Sequence, residues 1–238
     1  MAICCPSSIK ADTIVMCRLD ACGVPLPEST PMSRIYSKAY MSLTVSPDIE
    51  DGEVFEKKNG TGDYCIQSYD CPRLKKLDLT LNLCGIPTHV LEMLTGASLL
   101  LDGPDVVGGL LPNANYNTLV NPVEEEKSVR SCGNGVQMEF YSENNSFNDN
   151  CAPDGAKPFI SWILPKTTNW IITSDLVFTN SILEVELEGI AYGAPNFEAC
   201  SSASPWKNHE QEIRDTNSPL GWICTENCPL PQDCTYAD

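Results

Sequence analysis

Thirteen cysteines, two histidines and 32 acidic residues are the side chains of this 238-residue chain to ask about chemistry. The histidines, His89 and His209, are too few to anchor a metal site. No His-Glu-x-x-His helix, Gly-x-Ser-x-Gly elbow, phosphate-binding glycine loop or dinucleotide fingerprint occurs. His89 falls within an expected short helix and His209 in the polar segment Lys207–Glu210, so each reads as a solvated side chain rather than a general base. The cysteines form local clusters at Cys17/Cys22, Cys65/Cys71 and Cys224/Cys228/Cys234, none with the paired Cys-x-x-Cys spacing of a zinc site. An odd count leaves at least one thiol unpaired. Isolated cysteines such as Cys84 and Cys132 read as buried small hydrophobes, with local bridges near the surface clusters. Carboxylates come in runs such as Glu124-Glu125-Glu126, which read as solvated faces rather than acid–base dyads. The expectation is a chain with no catalytic residue, no metal and no cofactor.

The elements that would position any functional side chain are strands. Ser42-Leu43-Thr44-Val45-Ser46 alternates polar and apolar, and Leu77, Leu79, Leu81 and Leu83 alternate with Asp78, Thr80 and Asn82. A one-residue slip would turn all four leucines to water. Burying each is worth about 1.5–3 kcal/mol, so the register is strongly specified. Between these strands, residues 47–73 read as a long loop carrying Asp48, Glu50, Asp51, Glu53 and Glu56, with Asn59-Gly60 and Thr61-Gly62 turn signals; loops of this length in compact domains are commonly functional. Pro87 and Gly96 bracket a short helix with Leu91 and Leu94 inward. Further strands are expected at Thr13–Leu19, Ala97–Asp102, Val136–Tyr141, Phe159–Leu164, Trp170–Thr179 and Ile182–Ile190, the Phe159–Leu164 run buried on both faces. In the last strand Leu183, Val185 and Leu187 oppose Glu184, Glu186 and Glu188, placing three carboxylates on one face.

The architecture expected is mainly β: an antiparallel sandwich or partial barrel of about eight strands with one short flanking helix. Residues 1–34 read as an N-terminal strand and arm, 35–193 as the β-sandwich domain, and 194–238 as an irregular cysteine- and proline-rich C-terminal extension. Net charge is −17, which repels nucleic acid and anionic membranes. No apolar run approaches membrane-spanning length. Met1–Pro6 lacks the basic flank and apolar segment of a secretory signal, so folding in a cytoplasm is expected, and the asparagine-linked glycosylation patterns at Asn59 and Asn144 stand as coincidences.

The sequence resembles the major tail (tail tube) proteins of long-tailed, non-contractile bacteriophages, those of actinobacteria in particular. The likeness rests on Ser42–Glu53, on Gly62-Asp63-Tyr64-Cys65-Ile66, on Leu74–Leu81 and Leu91–Gly96, and on Ile182–Tyr192 as closing strand. It covers residues 35–110 and 158–193. The resemblance implies a virion subunit that forms hexameric rings, their inner sheets joined into a continuous barrel and the rings stacked into a tube through which DNA passes during ejection. It implies that residues 47–73, with Asp48, Glu50, Asp51, Glu53, Glu56 and Tyr64, reach an adjacent subunit, and that Glu184, Glu186 and Glu188, with Asp78, line the lumen. Partners would be further copies of the chain, other tail proteins (tape measure, terminator, distal tail) and DNA held without tight binding, with no membrane. The location would be the virion tail, after assembly in the host bacterial cytoplasm. The segment after Cys200 has no counterpart in the family. A tail terminator or other tube-fold injection component is the alternative, separated from a tube subunit by whether rings stack. A cysteine-stapled extracellular binding module or enzyme is the alternative from another class, and it would call for a secretion signal or an even bridge framework.

Overall fold

The computed structural model describes residues 11–30, 33–38, 40–58, 60–62, 64–85, 87–102, 105–110, 135–143, 159–173 and 184–226. Leu183, Cys132 and the Glu124–Glu126 run lie outside them. The strands, in chain order, are β1 Ala11–Arg18, β2 Arg34–Ser37, β3 Tyr40–Glu50, β4 Val54–Lys58, β5 Tyr64–Tyr69, β6 Arg73–Cys84, β7 Ser98–Asp102, β8 Asp105–Leu110, β9 Val136–Glu143, β10 Phe159–Ile172, β11 Glu184–Tyr192 and β12 Gly221–Thr225. Helix α1 spans Thr88–Thr95 after β6; a 3₁₀ turn at Pro205–His209 runs into a second short helix, α2, Glu210–Thr216.

The mainly β, antiparallel fold expected from the alternation is what forms. One sheet runs in the order β2-β1-β9-β10-β11-β6-β3, and β12 adds to β10. Strand β10 is the hub. Its first half, Phe159–Ile163, pairs with β9 on one side and β12 on the other, and its second half, from Lys166 to Ile172, pairs with β11. Register shifts between Leu164 and Thr167 and between Thr168 and Ile171 bend the strand, the first at Pro165, which cannot donate to a ladder. The sheet curls until β1 approaches β3, giving a partial barrel closed around one core. Leu77, Leu79, Leu81 and Leu83 are buried there with Val185 and Leu187, Ile14 and Met16 of β1, and Val136, Met138 and Phe140 of β9. Helix α1 packs into the same core through Val90, Leu91, Met93 and Leu94, and Gly96 ends it in the left-handed conformation (φ 74°) with its N–H on the Glu92 carbonyl. An ion pair between Arg18 and buried Glu92 fixes α1 to β1.

Several expectations are corrected. Residues 47–73 are not a loop: β3 and β6 stay paired out to Glu50 and Arg73, and β4 and β5 form a hairpin beyond them. Charged and turn-forming residues masked these strands. Pro47 is tolerated within β3 because β3 is a sheet edge. Residues 11–18 form the strand expected near Thr13–Leu19, and it lies inside the sheet between β2 and β9, whereas Trp170–Ile172 ends β10 rather than starting a separate strand. Residues 194–226 are ordered into a layer with its own helix and strand rather than an irregular extension. Cys17 pairs with Cys200, 183 residues away, instead of with Cys22. Cys22, Cys65, Cys71 and Cys84 are free and exposed, so Cys84 is not a buried hydrophobe.

Candidate assembly surface

The outer surface of the curled sheet is divided in two. Over β1, β9 and the first half of β10 it is covered. Ile163 packs with Ala194, Phe197, Trp206 and Ile213, and Val15, Cys17 and Tyr141 pack with Cys200. Strand β9 is therefore buried on both faces, although its alternation implied one face in water. The side chains on the covered face are polar where they meet the layer: the Glu139 carboxylate accepts from Tyr141 Oη at 2.7 Å, from Ser204 Oγ at 2.9 and 3.0 Å, and from Gln137 Nε2 at 3.3 Å. Trp206 Nε1 donates to Ser161 Oγ at 2.8 Å. Burial pushes the Glu139 carboxyl above its ordinary range, against the bonds from Tyr141, Ser204 and Gln137 and the charge of Arg34. Burial also opposes the charge of Glu210 within the layer, but bonds from Lys207 and the Ala199 N–H outweigh it and hold that carboxyl below its ordinary range.

Over β11, β6 and β3 no described residue covers the outer face. The register sets Glu184 beside Cys84, Glu186 beside Asn82 and Ser42, Glu188 beside Thr80 and Thr44, and Ile190 beside Asp78 and Ser46. The structure thus brings Glu184, Glu186, Glu188 and Asp78 onto one face of adjacent strands. Asp48, expected in a loop, joins them on β3 opposite Lys76. Lys76 Nζ lies 2.7 Å from Asp78 and 3.7 Å from Asp48, and the bond to Asp78 leads the causes that raise its pKa. Glu186 accepts from Thr173 Oγ1 at 3.3 Å; Glu184 and Glu188 have no ion pair among the described residues. From Ser42 to Asp48, Lys76 to Cys84 and Glu184 to Ile190, the face carries five carboxylates and one lysine. A shallow depression of about 450 Å³, lined by Asp78, Thr80, Asn169, Ile171 and Glu188, crosses it.

One end of this face leads into the β4–β5 hairpin. Ile49 and Leu74, paired at its base, are 56% and 48% exposed. Val54 pairs with Tyr69, Phe55 with Ser68 and Lys57 with Ile66, so apolar side chains stand on both faces, and Val54, Phe55, Tyr64, Ile66 and Tyr69 are each at least half exposed. Asp51, Glu53 and Glu56 lie along it; Tyr69 Oη donates to Glu56 at 3.1 Å and Lys58 stacks on Tyr64. Glu50 pairs with Arg73 in β3–β6 rather than lying in the hairpin. The histidines sit apart, His89 in α1 and His209 at the end of the 3₁₀ turn, 4.0 Å from Glu212. Among the described residues no group of three or more His, Cys, Asp and Glu side chains is placed to hold a metal ion, and no helix is long and apolar enough to cross a membrane.

Sequence reasoning missed the Glu139 node, the long-range Cys17–Cys200 bridge and the covering layer. Phe197, Trp206 and Ile213, large apolar residues set among polar ones in residues 194–216, were the available signal.

No family model and no curated protein matches the chain. Among solved structures it is similar to the tube-terminating cap of the anti-feeding prophage, at 12% identity and a TM-score of 0.31 over 80% of this chain and 91% of that one. It is also similar to the sheath/tube terminator of an extracellular contractile injection system in its extended state, at 12% identity and a TM-score of 0.28 over 75% and 88% of the two chains. The sheath–tube complex of the same kind of system gives 12% identity and a TM-score of 0.28 over 78% and 88%. At these scores the likenesses carry no functional argument.

Proposed function

We propose that the chain is a structural subunit of a phage tail tube, assembling as stacked rings whose lumen passes DNA. The observation that carries this is the division of the sheet's outer surface: one half covered by the chain's own layer, the other bare, acidic and built of adjacent strands. A carboxylate wall denies a polyanion the counterion-release term that makes it stick to proteins, so it suits a passage rather than a binding groove. The hairpin supplies the second requirement. A two-stranded ribbon is marginal by itself and carries here exposed apolar residues on both faces, so a neighbouring copy is its natural cover. The role is structural rather than enzymatic. In this reading rings are hexameric, the tail is long and non-contractile, the host is an actinobacterium whose cytoplasm is the place of assembly, and tape measure, terminator and distal tail proteins are neighbours.

Negative-stain microscopy of the purified full chain tests it. Tubes of stacked rings with an open channel are expected. Single rings that never stack would assign a terminator instead, and a monomer at high concentration under all salt conditions would reject assembly altogether.

A further inference from the structure

The layer over β1, β9 and β10 is tethered to the sheet at both ends, through β11, which ends at Tyr192, and β12, which begins at Gly221. Between those anchors it holds itself together: Arg214 Nε donates to the Phe197 carbonyl at 2.6 Å, and Glu210 accepts from the Ala199 N–H at 2.9 Å and from Lys207 at 2.7 Å. Apart from Leu220, which packs against the main core beside the β12 anchor, its apolar contacts form clusters separate from that core. Units with separate cores open separately. Its ties to the sheet include the Cys17–Cys200 disulfide, Arg34 donating to the Cys200 carbonyl, Ser204 on Glu139 and Trp206 on Ser161, and Asn196 reaches the Cys22 carbonyl at 3.1 Å.

We propose that residues 194–220 form a redox-latched cover that opens as a unit while the sheet and α1 stay folded, with Cys17–Cys200 as the latch. Cys17 is 2% exposed and Cys200 7% exposed, so a small thiol reaches the bridge only after the layer lifts. Closing follows the reverse course. The two thiols exchange with a low-molecular-weight disulfide through a mixed disulfide at one of them; the protein S–S bond forms, the small disulfide is reduced to two thiols, and both hydrogens pass to it. In a reducing compartment the cover is unlatched, and in an oxidising one it locks. The four exposed thiols, Cys22, Cys65, Cys71 and Cys84, stand outside the latch and serve as internal references. The latch does not depend on what the assembled subunit does.

The test treats the full oxidised chain with increasing dithiothreitol, alkylates at intervals and locates the label by mass spectrometry, with amide exchange measured on the same samples. Cys22, Cys65, Cys71 and Cys84 should label at once without reductant. Labelling of Cys17 and Cys200 should rise with dithiothreitol and then plateau at the opening rate. After reduction, amide exchange across residues 197–216 should speed at least tenfold while Leu77–Leu83 and Val90–Leu94 change less than twofold. The Cys200→Ser variant, unreduced, should reproduce that exchange pattern. A rate that stays linear in dithiothreitol without a plateau would show the bridge accessible in the closed state and overturn the latch. Equal acceleration in β6 and α1, or no acceleration in the layer, would overturn it as well.

Discussion

Glu139 shows how one residue can obey its pattern and still be misread. Alternation with Met138 and Phe140 turns it outward, as expected, but alternation reports which face a side chain takes and not what later covers that face. Glu184 and Glu188 were legible because their face stays exposed. A carboxyl raised by burial binds its proton more tightly folded than unfolded. Its contribution is therefore fully present below the unfolded value near 4.5 and is lost as pH rises through the higher folded value. Stability of the wild type should fall across that window and then level, while Glu139→Gln should flatten the profile; denaturant melts from pH 4 to 8 measure it, and superimposable slopes would refute the assignment. Glu139→Leu should cost more at every pH, since it strands Tyr141 and Ser204 at about 1–3 kcal/mol each. Gly189 is the second residue whose identity is forced: a Cβ there would stand 2.5–2.7 Å from the Trp170 ring. Gly189→Ala should destabilise by about 1–3 kcal/mol through overpacking, read as a lower midpoint at unchanged denaturant slope.

Elements with a single water-facing side announced themselves; elements completed by something distant did not. Strands β6 and β11 carry their registers in alternating leucines and valines, and α1 carries its cap in Gly96. The β4–β5 hairpin was hidden because all five residues of β4 are exposed, leaving no apolar face to trace. The covering layer was hidden because Phe197, Trp206 and Ile213 are anchors at irregular spacing, placed by a sheet and by a bridge spanning 183 residues. Under the proposed function, the exposure of the hairpin gives it a role in assembly. Since its large apolar side chains are exposed in the isolated subunit, replacing residues 52–71 with a short Gly-Ser turn should leave the melting temperature of that subunit within a few degrees while abolishing tubes in microscopy. Tubes as abundant as the parent's would show that the hairpin does not drive assembly. Trp206→Ala should do the opposite. It should cost about 3–5 kcal/mol in the layer, seen as faster amide exchange there, and leave the hairpin's contribution to assembly in place.

At the scale of the whole molecule the decisive property is the placing of charge, not its sum. A net −17 spread evenly would only keep the chain soluble. Here residues 194–220 cover one half of the sheet's outer surface, and the other half carries Glu184, Glu186, Glu188, Asp78 and Asp48, with Lys76 held by two of them. Repeated around a ring and along a stack, that face would become a continuous anionic wall. Within a Debye length, about 10 Å at 0.1 M salt, such a wall repels phosphate, and a cationic one would hold it. Replacing Glu184, Glu186 and Glu188 together with lysine tests the idea at low structural risk, because their side chains point away from the core that Val185 and Leu187 fill. The variant should assemble. Its tubes should retain short duplex DNA at low salt and release it progressively as salt rises, while parent tubes retain none at either condition. Phage carrying the change, triggered in low salt, should eject less DNA than the parent and recover as salt increases. If variant tubes are intact and open yet retain no DNA at low salt, the glutamates face outside the channel, and the bare acidic face is a solubilising surface instead.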